Sequence, residues 1–200
     1  MLQLKQIMVT AKVYVNYADR PIHDWEDFVA DPYAYFFPVS DFDTLSRELP
    51  ALVTGNKSAH RISSPYRGPL CFLGAVTIQY DNGYYNKSLI GVTLFVEIEY
   101  LCIYFAHIFK EFYLRREAYR SFPDQPIRFG LKEQDWHNSI FSIDHPKEDH
   151  TVVPTLPFIS AVLHEVQFFF QSCIEACDNL SGLKQSKDET DEVMRLYKLL

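Results

Sequence analysis

Apolar and polar residues alternate from Leu70 to Tyr80, with Leu70, Phe72, Gly74, Val76, Ile78 and Tyr80 on one face and Cys71, Leu73, Ala75, Thr77 and Gln79 on the other. A period of two predicts a strand, and apolar residues on both faces make it a central one. Asp81-Asn82-Gly83 follows, a hairpin signal whose residues tolerate positive φ, so residues 84–91 are expected to run back beside the first strand. The period then changes. Leu94, Ile98, Leu101, Phe105, Ile108 and Phe112 recur at steps of four and three, which predicts a helix over 93–119. Val92 to Tyr100 also alternates, so a helix start as late as Leu101 fits equally.

Opposite that stripe, Val96, Tyr100, Ile103, His107 and Leu114 form a second apolar band, with Glu99, Lys110 and Glu117 in a polar seam between the two. Two apolar faces call for two neighbours: strands on one side, and on the other either a second segment of this chain or a second copy in a homodimer.

The remaining pattern completes an α+β domain. Ile7, Val9, Ala11, Val13, Val15 and Tyr17 predict a first strand over 6–17. After the breaker Phe122-Pro-Asp-Gln-Pro126, strands over 126–132, 136–143 and 149–153 read as an antiparallel meander. A helix over 155–180 carries Ile159, Val162, Val166, Phe170, Cys173, Cys177 and Leu180 on one side. Ser40 is placed as the cap of a short helix with Leu45 and Leu49 inward, ending near Pro50, and Thr54 to Ser58 is read as a loop. The expected fold is thus one mostly antiparallel sheet packed with two long helices over 1–183, followed by an acidic tail over 184–200 that forms a short helix.

The 200 residues suffice for one self-sustaining core. A formal net charge of -7, without a Lys/Arg cluster, argues against a phosphate-tracking surface and for a cationic protein partner rather than nucleic acid. No stretch approaches the length of an apolar membrane span, and Met1 to Thr10 lacks the features of a signal peptide, so a cytoplasmic chain with no membrane role is expected. Cys102, Cys173 and Cys177 fall on apolar stripes, as free thiols acting as small hydrophobes do.

The distinctive surface stretch lies between the first strand and the short helix. Asp24, Trp25, Glu26, Asp27, Asp31, Tyr33 and Tyr35 combine carboxylates with aromatic rings, the mixture an interface to a basic protein uses: rings anchor and acids steer. Packing is the competing account, with Trp25, Phe28 and Val29 turned inward and the charges merely solvated.

Sequences that carry chemistry are sparse. His164-Glu165 begins like a zinc-protease helix, but Phe168 stands where the second histidine belongs. His145 and His150 with Asp144, Glu148 and Asp149 offer metal-ligating atoms in a turn, a poor scaffold for fixing several ligands at once. Cys71 or Cys102 with His60, His107 or His137 has no nucleophile signature around it. No metal or other cofactor is expected, and the alternative to a binding protein is a small hydrolase or metal-dependent enzyme built on these His, Asp and Glu residues.

Phe122-Pro-Asp-Gln-Pro-Ile127, the Trp136 to Ile143 stretch, and Val152-Val-Pro-x-x-x-Phe-Ile159 leading to Phe168-Phe169 resemble a pattern in small bacterial immunity proteins of polymorphic toxin systems. The resemblance covers about residues 70–175. It implies a sheet-plus-two-helices domain that binds and neutralises one cognate toxin without catalysis. It carries no site residue over, and the acidic stretch from Asp19 to Asp31 and the tail depart from it.

Overall fold

The computed structural model describes residues 7–17, 25–59, 73–94, 96–123, 125–144, 147–176 and 181–200. Among these it is an α+β domain with two antiparallel sheets where one was expected. The first sheet comprises β1 (Met8–Asn16), β2 (Phe36–Pro38), β3 (Leu73–Asp81), β4 (Asn86–Ile90) and β5 (Val96–Glu97). Its order is β2-β1-β3-β4, with β5 also paired to β3. The second is the expected meander with one strand more: β6 (Glu117–Ser121), β7 (Arg128–Glu133), β8 (Asn138–Asp144) and β9 (Glu148–Pro154) in sequential order. The helices are α1 (Trp25–Ala30), α2 (Phe42–Ala59), α3 (Ile98–Arg115), α4 (Thr155–Ala176) and α5 (Ser181–Leu196).

The central strand is central in fact: β3 pairs with β1, β4 and β5, and Gly74 to Ile78 are buried on both faces. The reversal after it takes four residues. Asp81 accepts the Gly83 N–H at 2.6 Å, Asn82 accepts those of Tyr84 and Tyr85 at 3.0 Å each, and Gly83 takes the positive φ of 79°. These side-chain acceptors hold the turn in place of a tight two-residue hairpin.

The long helix is shorter than predicted at both ends. Val96 and Glu97 pair with Gly74 and Leu73, so the alternating start of the segment is a strand and α3 begins at Ile98. At the far end Arg116 adopts a left-handed φ of 63°, its N–H closing on the Phe112 carbonyl at 2.8 Å. That cap turns the chain, and residues 117–119, expected as the end of the helix, open β6 instead. The cap of α2 is Asp41 rather than Ser40, since Asp41 accepts from the Thr44 N–H at 3.1 Å and hydroxyl at 2.7 Å. The stretch 54–58, expected as a loop, continues α2 beyond Pro50. Trp136 lies in the β7–β8 turn rather than in a strand and is 90% exposed.

Helices α3 and α4 join the two sheets. Val13, Val15, Val76 and Ile78 of the first sheet and Phe129, Leu131, Phe141 and Ile143 of the second belong to one buried cluster with Leu101, Phe105, Phe109, Phe112, Phe158, Val162 and Phe169. Phe105 meets Phe129 at 5.1 Å between ring centroids, Phe109 meets Phe158 at 6.2 Å, and Phe158 meets Phe141 at 5.2 Å. Lys87 of β4 also bridges the sheets, reaching Asp149 at 2.7 Å and Thr151 at 2.7 Å on β9.

The segment expected as a tail over 184–200 forms most of α5 and is part of the core, with Val193 and Met194 buried. It lies against α3 at His107 of the second band and at the neighbouring seam. Lys110 pairs with Glu192 at 3.0 Å, His107 meets Glu189 at 3.4 Å, and the Tyr197 hydroxyl donates to the Phe109 carbonyl at 2.7 Å. Val96 is buried, Ile103 packs on the core, and Leu114 remains exposed.

Two substitutions test this packing. A Cβ at Gly74 would stand 2.5 Å from the Tyr14 carbonyl and 2.6 Å from the Ile98 Cβ, so Gly74→Ala should lower stability by about 1–3 kcal/mol in urea denaturation. Met194→Ala should cost about 2–5 kcal/mol by the same measurement, whereas a loosely docked tail would register almost nothing.

Candidate functional site

The outer face of the first sheet carries the acidic and aromatic segment. Phe28 of α1 is fully buried against Phe36, Ala75 and Val92, with Tyr35 stacked edge-on to it at 5.7 Å and Tyr14 also packed there. This anchoring turns Glu26, Asp27 and Asp31 outward, and Tyr33 is 54% exposed with its ring 5.5 Å from that of Tyr14. The segment therefore divides between the two expected roles. Phe28 does the packing and Tyr35 shares in it, Val29 is exposed against expectation, and the charges with Tyr33 face solvent. Asp24 and the side chain of Trp25 lie outside the described residues.

On the second sheet the outer face is a grid of side chains crossing four strands. Glu117, Lys132, Ile140 and Val152 stand in one row, Tyr119, Gly130, Ser142 and His150 in the next, by the strand registers. Because Gly130 has no side chain, the Tyr119 ring lies across it, and the Arg128 guanidinium covers that ring at 4.3 Å from its centroid. Beside them a cavity of about 270 Å³ is lined by Glu117, Tyr119, Arg128, Ser142, Ile143, Asp144, Glu148 and His150.

Within it the Ser142 hydroxyl lies 2.8 Å from His150 Nδ1, and His150 Nε2 lies 3.3 Å from Glu148. The order Ser-His-Glu invites a nucleophilic reading. Ser142, however, sits mid-strand between β7 and β9, where the backbone N–H groups of the ladders face neighbouring strands rather than a reacting carbonyl above the sheet. The pair is a cross-strand hydrogen bond between residues directly opposite each other.

Of the residues weighed as metal ligands, the fold gathers Asp144, Glu148 and His150 on this face and sends Asp149 to Lys87, while His145 lies outside the described residues. Among the described residues no group of three or more His, Cys, Asp or Glu side chains has a geometry that would hold a metal ion. Cys102 and Cys173 are buried and not joined in a disulfide, and burial pushes the Cys102 thiol well above its usual range, which keeps it protonated and inert. Cys71, Cys177 and His60 lie outside the described residues. A shallow groove of about 480 Å³ runs along α4 past His164, Phe168 and Gln171 to Lys187 of α5.

One carboxyl is buried and another half-buried where sequence periodicity gave no warning. Glu99, expected in a polar seam, is 6% exposed, and its Oε2 has no hydrogen-bond partner. Loss of solvation, with the Glu97 carboxylate nearby, raises it to about 7. Glu165 accepts the Val13 N–H at 3.0 Å, at the point where the Val39 N–H still bonds the Val13 carbonyl but β2 has ended. Its carboxylate substitutes for a missing rung of the sheet, and burial raises its pKa also. The signal that finds these residues is their neighbours in space, which a helical wheel does not contain.

Comparison of the chain with family models, curated proteins and solved structures gives no match.

Glu99 generates a pH prediction. Its folded-state pKa of about 7 exceeds the ordinary 4.5, so the folded state holds the proton more tightly than the unfolded state does. The stability contributed by that proton is fully present below 4.5, declines as pH rises through 7, and is then gone, a loss of about 3 kcal/mol at about 1.4 kcal/mol per pK unit. Denaturation midpoints measured from pH 4 to 8 should fall across this window. Glu99→Gln should flatten most of the slope and leave the smaller decline due to Glu165.

Proposed function

We propose that this chain is a non-enzymatic protein-binding module of the immunity type, which neutralises a basic toxin domain by covering it. The observation that carries the reading is the division of labour in α1 and the residues after it: Phe28 is sunk into the outer face of the first sheet while Glu26, Asp27, Asp31 and Tyr33 are presented to solvent. A pre-anchored segment loses little conformational freedom on binding, so its rings and carboxylates can contribute to association rather than to ordering the loop. Carboxylates so placed raise the encounter rate with a cationic partner and disfavour acidic ones. The overall charge of -7 acts in the same sense. The resemblance to toxin-immunity proteins supplies the class of partner.

The test is co-expression with the product of the neighbouring gene in the native host. Growth arrest by that product, relieved by this chain, together with a one-to-one complex on size exclusion, supports the proposal; a harmless neighbour that forms no complex removes it. Within such a complex, changing Glu26, Asp27 and Asp31 together to Ser should leave the melting temperature nearly unchanged, since exposed charges contribute at most about 1 kcal/mol each. Association should slow, most clearly at low salt where screening is weakest. Binding as fast as that of the wild type would move the contact off this segment.

A further inference from the structure

On the outer face of the second sheet Arg128, Asp144 and Glu148 stand side by side without an ion pair between the arginine and either acid. Asp144 of β8 and Glu148 of β9 are directly opposite in register, a like-charge pair that disfavours the pairing it sits on. Extending the β7–β8 register by one residue from Phe129 and Ile143 places Arg128 next to Asp144. Its guanidinium is instead laid on the Tyr119 ring at 4.3 Å, and among the described residues no carboxylate lies within ion-pair distance of it. Stacking occupies the face of a guanidinium and leaves its N–H edge for a planar anion.

We propose that the cavity between these groups binds a small zwitterion of the α-amino acid class. Its carboxylate takes the N–H edge of Arg128, and its ammonium lies between Asp144 and Glu148. The chemistry selects this class over a simple ion. A lone anion at Arg128 would face Glu117, Asp144 and Glu148 across a cavity of about 270 Å³, and a lone cation would face Arg128. A molecule bearing both charges on one carbon satisfies both sides, and each contact is a charge-assisted hydrogen bond. The Ser142 hydroxyl and the His150 ring, joined at 2.8 Å, lie on the same cavity wall and supply a polar floor. The cavity is on the other sheet from Glu26 and Asp27, so the assignment does not depend on the protein-binding role.

Chemical-shift titration with glycine, L-leucine and L-glutamate, and with acetate and methylammonium as half-ligands, tests it. The amino acids should saturate one site in the millimolar range, with shifts centred on Tyr119, Arg128 and Ser142, while neither half-ligand saturates. Arg128→Gln, and separately the pair Asp144→Asn and Glu148→Gln, should each weaken binding by at least about tenfold, the loss expected for one charged hydrogen bond. Melting temperatures that do not fall in either variant, with a rise allowed where the like-charge pair is removed, would show that the loss is local. Absence of saturation by any amino acid overturns the proposal. So does acetate binding as tightly as glycine, or binding that survives the acidic pair of substitutions.

Discussion

A chain of phenylalanine rings holds the two halves of this protein in one core. Phe122 and Phe105 meet Phe129 at 4.8 and 5.1 Å, Phe105 meets Phe109 at 6.0 Å, and Phe158 carries the contact on to Phe141. These rings come from α3, α4, two strands of the second sheet and the loop before β7. Each such pair adds about 0.5–1.5 kcal/mol beyond the area it buries, and the geometry is directional as well as apolar. Helices α3 and α4 reach the first sheet with their other sides, so the registration of both sheets depends on where these rings settle. The Lys87 bridge to Asp149 and Thr151 is the one polar tie between the sheets that the described residues add.

Because the helices occupy the inner faces, the outer ones carry the exposed charges and rings. The two outer faces solve the exposure problem differently. On the first sheet α1 and the following turn cover Ala75 and Phe36 with a single buried phenylalanine, which makes a platform from which acids and Tyr33 project. On the second sheet no described helix intervenes. Its face mixes charged and hydroxyl residues with Ile140 and Val152, and Tyr119 bridges the gap that Gly130 leaves. An exposed strand face with this much charge resists sheet-to-sheet association, as edge and surface charges do elsewhere.

Glu99 and Glu165 show where the same arrangement stores cost. Glu165 is compensated, since its carboxylate terminates the open side of β1 beyond β2. Glu99 is not, and a neutral carboxyl is how the interior accommodates an oxygen without a partner. It sits in the first turn of α3, directly after the two-residue strand that pins that helix to β3. Ionisation there works against the joint between helix and sheet.

Much of the fold is legible from local pattern because periods of two and of about 3.6 state which residues share a face. The central strand from Gly74 onward, the meander, the stripe of α3, that of α4 as far as Cys173, and the burial of Phe129 and Leu131 follow from that rule. Local pattern is silent where a neighbour decides. Val96 and Glu97 are a strand because β3 offers them an edge, and residues 117–119 leave the expected helix because Arg116 turns left-handed and β7 receives them. The weak stripe of α5 is enough once α3 and α4 present a joint surface, with Leu183, Val193 and Met194 buried on it. The candidate site divides likewise. Composition marks the acids and rings around Glu26 and Asp27 as surface chemistry, but only the docking of Phe28 settles which ring is core. Arg128, Tyr119, Asp144 and Glu148 come from four strands, and their meeting is a property of sheet register, which no stretch of sequence contains by itself.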